Sequence, residues 1–358
     1  MNKSIFSRGK SYKTAKQREK RQKERHMKYR TDLALEMKEM IDEENAEREA
    51  SGVIDGIVID EIDRGNGVKV TRIEITNESG ARRMEKPVGN YITIEAEGII
   101  EETEGIKEKV ENVLAEELSR LIRFHYYLNV LVAGLGNSAV TPDSLGPQTA
   151  SRIRVTNHLF EMFGADGDDE MARVSCIAPG VTAVTGMETA ELVKKTAELV
   201  EPEVIIVIDS LAARDIKRLS TTIQITDTGI SPGAGMGNRR TGINSETSGA
   251  KVVAIGVPTV IDVTTVIRDA LAGGPGSTGT EETEAYIKEH EAQMIVTSTD
   301  IDTIIKDFSD IISNGINKTL HPGIYSYKKL QEDNYGKEKQ DALSCRGSGV
   351  HMLYCVFS

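Results

Sequence analysis

Two apolar runs, each followed by an aspartate, constrain the fold of this chain more than any other feature of its sequence. The first lies within residues 129–147, NVLVAGLGNSAVTPDSLGP, where a short apolar run meets a glycine turn and then Asp143. The second, residues 204–208, ends directly at Asp209. A buried strand that leads into a glycine turn is typical of open α/β sheets, whose sites lie beyond the carboxyl ends of the strands. If the two strands are neighbours, Asp143 and Asp209 face one cleft.

A strand–loop–helix pattern repeats around these two strands. Apolar spacing predicts further strands at 174–178, 221–226 and 251–256, and the alternation of Ile with Thr and Gln in 221–226 indicates a more exposed strand. Helices are predicted over 33–41, 104–127, 189–199, 211–219, 262–271 and 300–320. One more helix is predicted after Pro147, with Ile153, Val155, Leu159, Phe160 and Phe163 facing inward.

Three alternating runs near the N-terminus, 53–59, 68–75 and 91–95, predict antiparallel strands, and the Gly-Asn-Gly sequence at 65–67 predicts a hairpin turn. The predicted fold class is therefore α/β. It has a mostly parallel or mixed central sheet with helices on both faces, plus a small antiparallel sheet over residues 53–98.

Composition allows a sizeable core, since 39% of the 358 residues are apolar, although Trp is absent. No apolar run approaches the roughly 18 residues of a membrane span, and no signal-peptide pattern opens the chain. The three cysteines, Cys176, Cys345 and Cys355, match no metal-binding spacing. These features indicate a reducing, cytoplasmic compartment, with no membrane partner.

Charge is distributed unevenly along the chain. Residues 1–30 hold twelve Lys or Arg and two Glu, whereas the remainder holds 32 basic and 54 acidic residues. A basic leader on an acidic body is compatible with a solvated tail, with nucleic-acid binding or with a removable pro-segment. The acidic body argues against direct nucleic-acid binding by the main domain.

Two enzyme classes, the zincins and the thiol redox enzymes, lack their usual signatures here, because the chain contains no HExxH or CxxC motif. The GLGNSA turn has Ala139 where a dinucleotide-binding turn would need glycine. Two further interpretations stay open, a non-enzymatic α/β protein that binds phosphate or peptide and a metal-assisted hydrolase. His158 and Cys176 are predicted to be packing residues, and Asp227 and Asp262 to be turn or cap residues.

Asp143 and Asp209 fit acid–base hydrolysis of a peptide bond. Two neighbouring carboxylates share a proton near neutral pH, so one can activate water while the other protonates or polarises the scissile carbonyl. Backbone amides of Gly134, Gly136 and Asn137 are candidates for oxyanion support. The alternative from the same pattern is that each aspartate caps a following helix.

These motifs resemble the germination proteases of spore-forming bacteria. The resemblance rests on sequences that include RTDLALE (30–36), VLVAGLGNSAVTPDSLGP (130–147), APGVTAVTGMET (178–189), EVIIVIDSLAARDIKR (203–218) and TIQITDTGISPGAGMGNRR (222–240). It covers most of residues 30–320, and it extends distantly to the hydrogenase-maturation proteases.

The resemblance implies an atypical aspartic-type endopeptidase in which Asp143 and Asp209 are the catalytic pair, with no metal or other cofactor. It implies that small acid-soluble spore proteins are the substrates, that the protein is a homotetramer, and that it works in the forespore or spore core.

The resemblance also implies a zymogen that removes its own N-terminus at a sequence imitating the substrate. Thr31–Glu36 matches the substrate pattern Thr-Glu-(Phe/Ile)-Ala-x-Glu, with cleavage expected between Asp32 and Leu33. The expected organisation is a basic pro-segment at 1–32, a peptidase domain at 33–322 and an irregular C-terminal tail at 323–358.

Overall fold

The computed structural model describes residues 31–46, 55–233, 241–272 and 294–325, together with residues 285 and 289. The predictions for the leader before residue 31, and for the tail beyond residue 325, lie outside these described residues.

One mixed sheet organises the described chain. Its strands are β1 (Ile57–Gly65), β2 (Val68–Ile75), β3 (Gly89–Ala96), β4 (Asn129–Gly134), β5 (Arg173–Ile177), β6 (Val204–Ala213), β7 (Thr222–Thr226), β8 (Lys251–Asp262) and β9 (Ile295–Val296). The strand order is β1-β2-β3-β7-β8-β6-β4-β5, and the short β9 pairs with β8. Strands β8, β6, β4 and β5 are parallel, whereas β1, β2, β3 and β7 are antiparallel. The predicted mixed α/β fold is confirmed.

The N-terminal antiparallel strands form a hairpin and its neighbour, as predicted. Gly65, Asn66 and Gly67 all have positive φ, the conformation that the tight turn between β1 and β2 requires. These strands are not a separate sheet, however. Because β3 pairs with β7 from Tyr91 opposite Thr226 to Glu95 opposite Thr222, the antiparallel part continues directly into the parallel part.

Helices cover both faces of the sheet. They are α1 (Ala34–Ala46), α2 (Glu78–Met84), α3 (Ile106–Leu121), α4 (Leu145–Ala150), α5 (Asn157–Phe163), α6 (Thr182–Thr185), α7 (Thr189–Val200), α8 (Ser245–Ser248), α9 (Val263–Ala272) and α10 (Ile301–Leu320). Helices α3 and α10 pack on one face in the largest apolar cluster. Helix α7 packs on the opposite face, against β4, β6 and β8. No helix among the described residues is long and apolar enough to cross a bilayer.

Helix α1 lies on the same face as α7. One row of residues crosses the sheet from Tyr91 through Thr226, Ala254 and Val207 to Ala133. Residues of one row point to one face of a sheet. Tyr91 packs with α1, and Val207 and Ala133 pack with α7. The first turn of α1 is therefore held over the face that Asp209 shares, two residues beyond Val207.

Three predictions of secondary structure are wrong. Residues 211–219 do not form an α-helix, because β6 continues to Ala213 and its last residues pair with β8 as far as Ile261. Within this range, only Ile216–Arg218 are helical, as one 3-10 turn. The single helix after Pro147 is instead α4 and α5, with Val155 and Phe163 exposed. The side chain of Thr156 explains this break, since it donates to Ala172 O and accepts from Val174 N, anchoring the chain to β5.

The exposure of β7 is the third error. Every residue of Thr222–Thr226 is buried, because β7 lies between β3 and β8 rather than at an edge of the sheet. The Thr and Gln side chains of this strand therefore face the interior or a cavity, not the solvent.

Candidate active site

The two aspartates lie where successive connections between parallel strands run to opposite sides of β4. From β4 the chain passes to β5 on one side, and then back to β6 on the other side of β4. Crevices at such a switch point, beyond the carboxyl ends of the strands, are the usual ligand sites of open α/β sheets. Gly134 at the end of β4 lies opposite Ile208 of β6, one residue before Asp209.

The glycine turn after β4 holds Asp143 by close backbone approach. The Asn137 N–H donates both to the Asp143 carbonyl oxygen (3.0 Å) and to Asp143 Oδ2 (2.9 Å). Gly136 has φ +109°, and a Cβ there would lie 2.0 Å from the Asp143 carbonyl oxygen. Only glycine allows the turn to fold this tightly over Asp143. Thr259 of β8 fixes the same turn by donating to Pro142 O at 2.7 Å.

Asp209 is buried within β6, with 5% of its surface exposed. Its Oδ1 accepts the N–H of Ser210 at 2.9 Å. Asp143 and Asp209 both line a cavity of about 280 Å³, to which Asp32 and Gly136 also contribute. The structure thus brings Asp143, Asp209 and Asp32 to one cavity, whereas Leu33 is fully buried.

The segment that begins the described chain is bound at this cavity. Asp32 N–H donates to Ala212 O at 3.1 Å, and Ala212 N–H donates to Asp32 Oδ2 at 2.9 Å. The carbonyl oxygen of Asp32 accepts from Lys86 Nζ (2.7 Å) and from Gln224 Nε2 (3.1 Å). The Ala34 N–H donates to Gln224 Oε1 at 2.6 Å. Residues on both sides of the Asp32–Leu33 bond are thereby fixed.

Glu36 anchors the same segment one helical turn later. Its carboxylate is buried and accepts the N–H groups of Arg214 (2.9 Å) and Asp215 (2.8 Å), just past the end of β6, and the hydroxyl of Thr31. Burial raises the pKa of Glu36, while the Thr31 hydroxyl, the two amides and the nearby charge of Arg218 act in the opposite direction.

Among the described residues that line a cavity of about 300 Å³, Lys86 is the cationic one. Burial lowers the pKa of Lys86, whereas the carboxylates of Asp32, Glu36 and Glu85 favour its charged form. The same cavity connects this lysine with Asp32, Asp209 and Gln224. Lys86 lies outside the sequences that carry the resemblance, whereas Gln224 lies within 222–240; neither was predicted as a site residue.

The other candidate residues have different environments. Asn137 uses its amide to hold Asp143, so that amide is engaged before any substrate binds. Neither aspartate is placed as a helix cap, because Ser144 precedes α4 and Asp209 lies inside a strand. Asp227 accepts from the backbone and side chain of Asn90, and Asp262 accepts the Thr264 and Thr265 amides at the start of α9, as expected of turn and cap residues.

His158 and Cys176, both predicted to be packing residues, differ in their exposure to solvent. His158 is exposed on α5, so its predicted packing role is wrong. Cys176 packs against the main apolar cluster, and burial raises the pKa of its thiol to about 12, which makes it unreactive near neutral pH. Within the described ranges, no three His, Cys, Asp or Glu side chains are grouped in a way that could hold a metal ion.

Comparisons with known proteins show the family of this chain. The family model described as germination protease matches residues 34–273, which include both aspartates, Lys86 and Gln224. A germination protease of Caldanaerobacter subterraneus subsp. tengcongensis is 43% identical over 82% of this chain and 95% of its own length. A germination protease of Clostridium tetani is 40% identical over 83% of this chain and 97% of its own length. One from Geobacillus sp. (strain WCH70) is 35% identical over 86% and 96%.

Among solved structures, a NiFe hydrogenase maturation protease from Thermococcus kodakarensis KOD1 matches 57% of this chain and 98% of its own, at 16% identity and a TM-score of 0.29. The sequence relatives are much more similar than this structure. Because these sequence relatives are proteases, they favour a protease over the alternative of a non-enzymatic binding protein. On the family match and these three relatives, the chain belongs to the germination protease family.

Proposed function

We propose that this spore protease is made as a self-processing zymogen and then begins the degradation of small acid-soluble spore proteins. Asp143 and Asp209 activate the attacking water, and the first bond cut is Asp32–Leu33 of the chain itself. One observation carries the proposal: Asp32 lines the same cavity as both aspartates.

The binding of residues 31–36 supports a substrate-like role for this segment. Ala212, Gln224 and the amides beyond β6 bind its backbone and its second acid. These are main-chain contacts and a carboxylate contact that another protein with the pattern Thr-Glu-(Phe/Ile)-Ala-x-Glu can also make. The recognised chemistry is therefore a peptide with an acid before the cut bond and another four residues after it.

Two isosteric variants test the aspartate pair. Asp143→Asn and Asp209→Asn each remove the ability to exchange a proton with water while keeping the size of the side chain. We expect neither full-length variant to process itself or to cut a Thr-Glu-Ile-Ala-x-Glu peptide. Asp227→Asn is the matched control, since Asp227 also follows a buried strand but bonds Asn90.

The cut site is read from the new N-terminus of the processed chain, which we expect to be Leu33. Normal processing by either aspartate variant, or a different new N-terminus, would contradict the proposal. Loss of activity with a chelator would instead favour metal-assisted hydrolysis. We further propose a homotetramer located in the forespore or spore core, and light scattering of the purified protein measures its mass.

A further inference from the structure

The peptide oxygen of Asp32 lies between two hydrogen-bond donors from distant parts of the chain. Lys86 Nζ is 2.7 Å and Gln224 Nε2 is 3.1 Å from this oxygen. Both are hydrogen-bond distances to the ground-state carbonyl oxygen. A donor that stabilises an oxyanion must lie about 2.7–3.1 Å from the position that this oxygen takes in the transition state. A catalytic role for these two donors rests on the proposed function in one respect, that Asp32–Leu33 is the bond to be cut.

The fold places Lys86 beside this oxygen through a fixed turn. Helix α2 ends at Met84, and its C-cap residue Glu85 adopts a left-handed conformation with φ +52°. The next amide, that of Lys86, donates back to Ala81 O at 3.2 Å. The backbone of Lys86 is thus held at the mouth of the cavity, and its Nζ reaches Asp32 rather than solvent.

Gln224 reaches the same oxygen from across the sheet. Gln224 of β7 lies opposite Gly256 of β8, and Gly256 lies opposite Asp209 of β6. All three therefore belong to one row and face one side of the sheet. The missing side chain at Gly256 leaves room for Leu211, since a Cβ there would lie 2.5 Å from Leu211 Cγ. Gly256, Gln224, Asp209 and Asp32 all line the cavity of about 300 Å³.

The contacts of Gln224 also fix which end of its amide points to Asp32. The Ala34 N–H can only donate, so the atom of Gln224 that it contacts must be oxygen. The nitrogen end then faces the Asp32 carbonyl. Gln224 accordingly binds the peptide on both sides of the Asp32–Leu33 bond, accepting from Ala34 and donating to Asp32.

We propose that Lys86 and Gln224 are catalytic residues that stabilise the oxyanion formed at the scissile carbonyl. Water, losing a proton to one aspartate, attacks the carbonyl carbon of Asp32, and the π electron pair moves onto the oxygen that Lys86 and Gln224 hold. When this intermediate collapses, the C–N bond breaks and the Leu33 nitrogen takes a proton from an aspartate carboxyl. The products are a carboxyl group at Asp32 and an amine at Leu33.

A purely structural role for Lys86 would consist of holding the segment in place. The two roles differ in what they change: a docking contact alters how much of the chain is bound, whereas an oxyanion contact alters how fast the bound chain is cut. The test therefore measures both quantities on the same full-length chain.

The cutting rate is measured as the first-order rate constant of self-cleavage after synthesis in vitro. Lys86→Met removes the cation, and Gln224→Glu keeps an acceptor for Ala34 but removes the donor to Asp32. We expect each to lower the rate constant by about 100- to 1,000-fold, the usual effect of losing one oxyanion donor. Lys251→Met is the control, because Lys251 also donates to a backbone carbonyl, Leu121 O at 2.7 Å, away from the site.

Docking is measured by hydrogen exchange of the Arg214 and Asp215 amides, which the bound segment protects. This is done in an Asp209→Asn background that leaves the chain uncut. We expect Lys86→Met to leave this protection unchanged. If protection falls in proportion to the rate, or if the rate falls no more than in Lys251→Met, the oxyanion role is wrong.

Two further comparisons separate misfolding and failure of the proposed function from failure of the oxyanion role. If Lys86→Met does not fold by circular dichroism, Gln224→Glu decides the matter with the same two measurements. If the aspartate variants still process themselves, the proposed function itself fails. If they are inactive while Lys86→Met and Gln224→Glu process normally, only the oxyanion role fails.

Discussion

Glu36 offers the most direct way to separate docking of the segment from chemistry. Its carboxylate is 1% exposed and accepts two backbone N–H groups, from Arg214 and Asp215. Glu36→Ala leaves both donors in a buried pocket with no carboxylate. An unsatisfied buried donor costs about 1–3 kcal/mol, so the pair costs on the order of 2–3 kcal/mol if water reaches the pocket in part. Because burial raises the pKa of Glu36, the carboxylate is itself costly to keep charged, which favours the lower part of the range.

This energy predicts a change in the rate of self-cleavage. A loss of about 2–3 kcal/mol lowers the docking equilibrium by roughly 30- to 150-fold. The observed rate falls by less if the docked form is in large excess at the start, so we expect a decrease on the order of 10- to 100-fold. The cut should remain at Asp32–Leu33, because the contacts of Asp32 with Ala212 and Lys86 are retained.

A pulse-chase of the full-length chain synthesised in vitro measures this rate. Glu39→Ala is the matched control: Glu39 lies on the same helix and pairs with Arg218 at 2.8 and 3.0 Å, but it is partly exposed. An ion pair of this kind contributes about 0–1 kcal/mol, which corresponds to less than about a fivefold change in rate. Wild-type processing by Glu36→Ala, or an equal defect in Glu39→Ala, would refute the reasoning.

Two further predictions concern the glycine turn and a buried histidine. Gly136→Ala places a Cβ 2.0 Å from the Asp143 carbonyl oxygen, so Asp143 must shift and the rate of self-cleavage should fall by about 100-fold. Gly164→Ala is the control: Gly164 also has a positive φ but open space around it, so this variant should process itself normally. Burial lowers the pKa of His321 from 6.5 to about 4, so between these pH values the unfolded chain binds a proton that the folded chain does not. The free energy of unfolding should therefore fall by up to about 3 kcal/mol as the pH drops from about 6.5 to 4. Denaturant unfolding at several pH values should show a weaker pH dependence for His321→Gln, but not for His158→Gln, whose side chain is exposed.

The sequence predicted the parallel half of the sheet because β4, β6 and β8 are buried on both faces and so appear as uninterrupted apolar runs. It failed where an apolar run fits two structures. Residues 211–213 are Leu-Ala-Ala, which suit a helix as well as a strand, and only the pairing of β6 with β8 decides between them. That decision lies in residues about 50 positions away, which local periodicity does not report.

The candidate site was predictable only in the part that follows an apolar run of the sequence. Asp143 and Asp209 follow apolar runs and were found in this way, whereas Lys86 lies in a turn between α2 and β3 with no motif around it. Gln224 did carry a signal that was interpreted wrongly. A Gln between two Ile residues indicated an exposed strand, but in a strand at the centre of a sheet the same residue marks a polar cavity.

If residues 31–36 bind as a substrate does, as proposed, the docked segment and an external substrate compete for the same contacts, and this gives Glu36→Ala a second, opposite effect. After the cut, Leu33–Glu36 would still fill the place of a substrate's residues, so the first turn of α1 must leave the Arg214 and Asp215 amides before a substrate acid can bind there. The rest of α1 need not move, since Met37, Met40 and Ile41 are held in a separate apolar cluster. Enzyme that has completed its own cleavage should therefore show a lower KM for a Thr-Glu-Ile-Ala-x-Glu peptide when it carries Glu36→Ala, although the same substitution slows processing of the zymogen. A variant that weakens both reactions equally would mean that the two do not share this site.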